Sequence, residues 1–164
     1  MLTHIRGILD QEQLATAHRL IAAGGFQDGA RSAGMAARRV KHNDELALSP
    51  AQMSDLNNLV MGSLVKHPTY RSAAMPLKIA APYYARSPPG MSYGNHVDDP
   101  IMGQGPRFRS DVSMTIFLNP PEAYDGGELV IRTPFGDQRV KLPAGHAVVY
   151  PSASVHRVAQ VTRG

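Results

Sequence analysis

Cysteine and tryptophan are both absent from the 164 residues. Without a thiol, disulfides, thiolate zinc sites, iron–sulfur clusters and cysteine nucleophiles are excluded together. Any metal must therefore be held by nitrogen and oxygen. Aromatics make up only 6% of the chain, and 17 Lys and Arg against 13 Asp and Glu leave a formal net charge of just +4. Cations spread along a chain poor in aromatics do not make a nucleic-acid surface, so no nucleic-acid partner is expected. No apolar run approaches the roughly 20 residues that span a bilayer. The start, Met1-Leu2-Thr3-His4-Ile5-Arg6, lacks the basic stretch and apolar core of a signal peptide. A cytoplasmic protein without membrane contact is expected.

With 43% apolar and 18% charged residues, the chain has the composition of one globular domain able to bury a core. The 15 Gly and 13 Pro lie mostly in the second half, where they separate short β-type runs. This divides the chain into an N-terminal helical support region, 1–76, and a β-rich domain, 77–164. Asp10 opens a helix, with Gln13 completing a capping box, Leu14, Ala17 and Ile21 at helical spacing, and Gly24-Gly25 as the stop. Ser49 caps a second, with Pro50 at its first position, Gln52 closing the box, and Met53, Leu56, Val60 and Leu64 along one face. Both helices are expected to pack on a sheet. Residues 24–48, rich in Gly, Ala and Arg without a steady period, read as irregular.

Beyond residue 76 the period changes to two. Val112, Met114, Ile116 and Leu118 share one face, and Asp111, Ser113 and Thr115 the other, which is free to line a cavity. Further strands are expected at Leu77–Tyr84, Ser92–Val97, Gly127–Thr133, Gln138–Leu142, His146–Tyr150 and Val155–Val161. The fold class is mainly β with N-terminal helices (α+β), a sandwich or barrel such as a jelly roll.

His96-Val97-Asp98 falls at the end of one of these strands. Residues two apart on a strand project from the same face, so an imidazole and a carboxylate can meet one ion. His156 opens the last strand and can be brought to the same point by antiparallel pairing. Two His and one carboxylate on one face of an ion is the arrangement of non-haem Fe(II) oxygenases. A His-x-Asp triplet is common by chance, and a surface pair is the alternative for these residues. His4, His18, His42, His67 and His146 have no carboxylate at convergent spacing and read as structural or surface groups.

The runs Tyr93-Gly94-Asn95-His96-Val97-Asp98, Arg109-Ser110-Asp111-Val112-Ser113, Tyr124-Asp125-Gly126-Gly127-Glu128-Leu129, Lys141-Leu142-Pro143-Ala144-Gly145 and Tyr150-Pro151-Ser152, with Val155-His156 following, stand in order. Over residues 77–164 the chain resembles the Fe(II)/2-oxoglutarate oxygenases of the prolyl 4-hydroxylase type, and the PKHD-type hydroxylases most closely. The resemblance implies a double-stranded β-helix with His96, Asp98 and His156 as ligands of Fe(II). It also implies 2-oxoglutarate as cosubstrate, succinate and CO2 as co-products, and L-ascorbate (vitamin C) to keep the iron reduced. Hydroxylation of an unactivated C–H bond is the expected reaction. The substrate is a small molecule, linked to bacterial iron acquisition, or a peptidyl proline, and a homo-oligomer is compatible with the family.

Tyr93 and Tyr84 are candidates to hydrogen-bond a cosubstrate carboxylate. The segment Asp99-Pro100-Ile101-Met102-Gly103-Gln104-Gly105-Pro106 is a candidate lid or a plain connection. The resemblance further implies an Arg or Lys, about ten residues after His156, that pairs with the far carboxylate of 2-oxoglutarate. That anchor and the family's final strands are expected beyond Gly164, Arg163 being a poor substitute in spacing. Two other readings stand beside this one: a cupin-like metal enzyme that does not use 2-oxoglutarate, and a metal-free jelly-roll binding module.

Overall fold

The computed structural model describes residues 1–103 and 105–164. In chain order its elements are β1 (Thr3–Ile5), α1 (Gln11–Ala22), β2 (Gly25–Asp28), α2 (Met35–Arg38), β3 (Lys41–His42), β4 (Asp44–Ala47), α3 (Pro50–Lys66) and α4 (Pro68–Ala74). The second half adds β5 (Ala85–Arg86), β6 (Ser92–His96), β7 (Ile101–Met102), β8 (Phe108–Arg109), β9 (Val112–Ile116), β10 (Leu129–Thr133), β11 (Gly136–Val140), β12 (Ala147–Pro151) and β13 (His156–Val158).

Both long helices begin where their capping chemistry requires. Asp10 accepts from the Gln13 backbone at 2.8 Å, while the Gln13 side chain accepts from the Asp10 backbone at 2.9 Å. Ser49 and Gln52 form the same reciprocal pair at the head of α3, with Pro50 in the first turn. Leu56, Val60 and Leu64 follow on one face of α3 and are buried, each contributing about 1.5–3 kcal/mol by leaving water.

Two antiparallel sheets carry the architecture. One has the order β1-β12-β9, the other β11-β10-β13-β6-β3. β12 joins them because both its faces are apolar: Ala147 and Val149 belong to the core shared with the helices, and Val148 and Tyr150 to a core with Leu129, Ile131 and Val140 of the larger sheet. Ala147, Val148 and Val149 have no exposure at all, as expected of a strand covered on both sides. The helices form the layer behind the smaller sheet, where Ile5, Ala17, Leu56, Val60 and Leu64 meet Val112, Met114 and Ile116. The expected support layer is therefore present. The sheets are open rather than closed into a barrel.

The segment expected to be irregular, 24–48, contains the paired strands β2 and β4 and contributes β3 to the edge of the larger sheet. β1 likewise pairs with β12, so the N-terminal region supplies strands as well as helices. Conversely, 77–84 forms no strand. Pro76 and Pro82 remove two donors, Leu77 and Tyr83 are largely exposed, and the Tyr84 carbonyl, at the end of the segment, accepts from Leu46 at 2.8 Å. The remaining expected strands are present with shifted or trimmed ends, His156–Val158 in place of Val155–Val161 among them. Among the described residues no helix is long and apolar enough to cross a membrane.

Candidate metal centre

β6 and β13 are neighbours in the larger sheet, and their register sets His96 directly opposite His156. Asp98 lies just past β6, where its backbone N–H donates to the Ser152 carbonyl at 3.2 Å. Alternation along an extended chain returns its side chain to the face of His96. Asp98 Oδ1 stands 3.8 Å from His96 Nε2 and 3.6 Å from His156 Nε2. Nitrogen and oxygen ligands sit about 2.1 Å from a metal ion, so one ion bridges ligands up to about 4.2 Å apart. One ligand atom from each of the three side chains lies within 4.8 Å of the others, close to the separation one ion requires.

Backbone carbonyls fix which ring nitrogen faces this point. His96 Nδ1 lies 2.8 Å from the Gly94 carbonyl, and His156 Nδ1 lies 3.0 Å from that of Ser154. A carbonyl can only accept, so each neutral ring carries its proton on Nδ1 and turns the lone pair of Nε2 toward Asp98. Both histidines use the same local device, a bond to the residue two positions earlier. Burial pushes the His96 pKa below its ordinary value, outweighing the Gly94 carbonyl and Asp98, which act the other way.

The carboxylate is oriented from the opposite sheet. Ser113, on the polar face of β9, donates through Oγ to Asp98 Oδ2, leaving Oδ1 for the imidazoles. Ser152, buried, donates through Oγ to the Ser110 carbonyl at 2.7 Å and through its N–H to the Asp111 carbonyl at 3.1 Å. These bonds fasten the Asp98 segment and the loop before His156 to the entry of β9, across the mouth of the two sheets. The side chains of His96 and His156 are 6% and 5% exposed, that of Asp98 32%. The centre thus opens on its carboxylate side.

Four rings form a row through the site. Tyr93 stacks on His96 at 3.7 Å between centroids, His96 meets His156 at 4.2 Å, and Tyr150 meets His156 edge-on at 5.0 Å. Tyr93 and His96 are an odd number of residues apart and belong on opposite faces of a regular strand. They share one because the β6–β13 pairing slips: three residues of β13, from His156 to Val158, span four of β6, from His96 back to Tyr93. Burial, with Asp98, Asp99 and Glu45 nearby, raises the Tyr93 pKa to about 12, so its hydroxyl is a protonated donor at neutral pH.

The other residues singled out by sequence have different places. Tyr84, expected as a donor to the cosubstrate, lies in the helix-side core with its hydroxyl donating to Asn57 of α3 at 3.0 Å. Arg163 forms a two-pronged pair with Asp125, at 2.6 and 3.0 Å. His18 and His67 each hold a backbone carbonyl, of Leu118 and Arg6. In the segment 99–106, Ile101 and Met102 pair with β8 as the arm of a hairpin, and Gln104 lies outside the described residues. Sequence reasoning missed Ser113, Ser152 and Tyr150 as supports of the site. Ser113 was visible as part of the polar stripe on β9; the roles of the other two depend on register.

The family model for the 2OG-Fe(II) oxygenase superfamily matches residues 82–164. A PKHD-type hydroxylase of Thioalkalivibrio sulfidiphilus is 54% identical over 165 residues, which cover 100% of this chain and 74% of that one. Among solved structures, a Pseudomonas putida prolyl-4-hydroxylase aligns with a TM-score of 0.65 at 20% identity, over 99% of this chain and 86% of its own. A Trichoplax adhaerens prolyl hydroxylase, solved in complex with a hypoxia inducible factor oxygen degradation domain peptide fragment, aligns with a TM-score of 0.69 at 13% identity, over 99% and 78%. These likenesses give the jelly-roll fold. The chain belongs to the 2OG-Fe(II) oxygenase superfamily, in its PKHD-type hydroxylase family. It is a hydroxylase, and the family implies Fe(II) and 2-oxoglutarate.

Proposed function

We propose that His96, Asp98 and His156 are the three protein ligands of Fe(II) and that the chain hydroxylates a C–H bond with 2-oxoglutarate as cosubstrate. The observation that carries this reading is the convergence of two Nε2 lone pairs and one carboxylate oxygen at a point open on one side. Two imidazoles and one carboxylate suit Fe(II), and three protein ligands leave further coordination positions free. When bound, the iron and 2-oxoglutarate together supply the oxidising step, in which O2 is consumed, 2-oxoglutarate leaves as succinate and CO2, and one substrate C–H becomes C–OH.

The chain's own residues do the positioning. The Gly94 and Ser154 carbonyls hold the two imidazoles in the donor tautomer, and Ser113 holds Asp98 with one oxygen free. The ring row of Tyr93 and Tyr150 walls the imidazoles from water. The Tyr93 hydroxyl, protonated and beside the centre, donates to a carboxylate of the cosubstrate. A supply of L-ascorbate keeps the iron reduced.

Succinate release from 2-oxoglutarate tests the reading, measured with Fe(II) and ascorbate against peptidyl proline and small iron-chelating molecules as two substrate classes. Iron-dependent succinate stimulated by one class is expected, together with a gain of one oxygen atom in that substrate. Oxygen uptake indifferent to 2-oxoglutarate would point instead to a cupin-like enzyme.

A further inference from the structure

Lys41 on β3 is the cross-strand partner of Tyr93 on β6. It is only 8% exposed, and its ammonium donates to Ser32 Oγ at 2.9 Å and to the carboxylate of Glu45, itself 7% exposed. Ser32 closes the triangle by donating to Glu45 Oε1 at 2.6 Å. The same ammonium stands 5.5 Å from the centre of the Tyr93 ring, inside cation–π range. That ring is the one stacked on His96 at 3.7 Å with an interplanar angle of 11°.

A buried ion pair is a poor stabiliser, because desolvation of two charges offsets most of their attraction and an apolar pair of similar volume packs as well. Stability therefore does not account for Lys41 and Glu45, and their position does. The bond to the Gly94 carbonyl fixes where His96 Nδ1 points, and one hydrogen bond does not by itself define the plane of the ring. A stacked aromatic does so only if it is itself held.

We infer that Lys41 is a positioning residue for the metal centre: anchored by Glu45 and Ser32, it holds the Tyr93 ring, and Tyr93 sets the plane of His96 so that Nε2 aims at the ion. This rests on His96 being a metal ligand, as proposed above.

Co(II), whose visible bands report ligand geometry, is the probe. The full chain is titrated with Co(II) as wild type and as four variants, and thermal unfolding identifies those that are folded. Lys41→Met combined with Glu45→Gln removes the ammonium without leaving a buried charge unpaired. It is expected to bind Co(II) about tenfold more weakly and with shifted bands. Tyr93→Leu, which leaves the ion pair intact, is expected to show a similar loss and shift, while Lys41→Arg retains most of the wild-type affinity and spectrum. A folded double variant or Tyr93→Leu with wild-type affinity and bands overturns the positioning role and leaves the ligand assignment standing. Wild-type protein that binds no Co(II), or His96→Ala that binds it equally well, overturns the ligand assignment and the inference with it.

Discussion

Tyr93 and His96 lie face to face across a slipped register, and Gly94 between them runs hard against Val40. A β-carbon there would stand 2.8 Å from Val40 Cβ, and the Gly94 N–H donates to the Val40 carbonyl at 2.8 Å, so the two backbones cannot separate without losing that bond. Gly94→Ala is expected to destabilise the fold by about 1–3 kcal/mol. It also weakens metal binding in the molecules that remain folded. Chemical denaturation and a metal titration of the same preparation check the two effects; wild-type values in both would show that β6 tolerates a side chain at this approach.

In the proposed centre, Ser113 bears on the metal through its hydrogen bond to Asp98. Ser113→Ala removes the donor to Oδ2 and lets the carboxylate rotate, so Fe(II) affinity is expected to fall about tenfold with little change in unfolding temperature. Ser113→Thr keeps the hydroxyl and retains most of the affinity. Equal losses in both variants would mean that packing, rather than the hydrogen bond, matters at this position.

The two tyrosines separate cleanly. Tyr93→Phe keeps the ring row and removes the hydroxyl, and is expected to raise KM for 2-oxoglutarate several-fold while Fe(II) affinity is unchanged. Tyr84→Phe breaks the bond to Asn57, costing about 1 kcal/mol of stability without changing KM. Steady-state kinetics on the two variants decide it, and a KM effect from Tyr84 in place of Tyr93 would contradict the assignment.

The buried imidazole of His96 gives the metal-free protein a pH-dependent stability. Its folded pKa lies below the ordinary His value of about 6.5, so the unfolded chain takes up a proton at a pH where the folded chain does not. Stability is full above the unfolded value and declines as pH falls toward the folded one. Unfolding midpoints measured from above pH 7 downward should therefore drop, and drop less steeply in His96→Gln; identical slopes would remove His96 as the source.

The elements with strong local chemistry were legible in the sequence. Capping boxes at Asp10 and Ser49 mark the helix starts, alternation from Val112 to Leu118 marks the core face of β9, and His96 and His156 meet through the antiparallel pairing that their strands allow. What escaped depends on partners distant in the chain. β2, β3 and β4 are short and carry no period, and they are strands only because of what they pair with. Residues 77–84 have a strand's composition, but prolines at 76 and 82 keep them out of the ladders and they form no strand. Lys41 and Glu45 look like surface charges in sequence, and only the fold buries them.

The deciding measurement for Fe(II) at His96, Asp98 and His156 is the weak visible charge-transfer band of a 2-oxo acid chelated to protein-bound Fe(II), read after anaerobic addition of Fe(II) and 2-oxoglutarate. The band is expected for the wild-type protein and is lost in His96→Ala. A band of undiminished intensity in folded His96→Ala would contradict the ligand assignment.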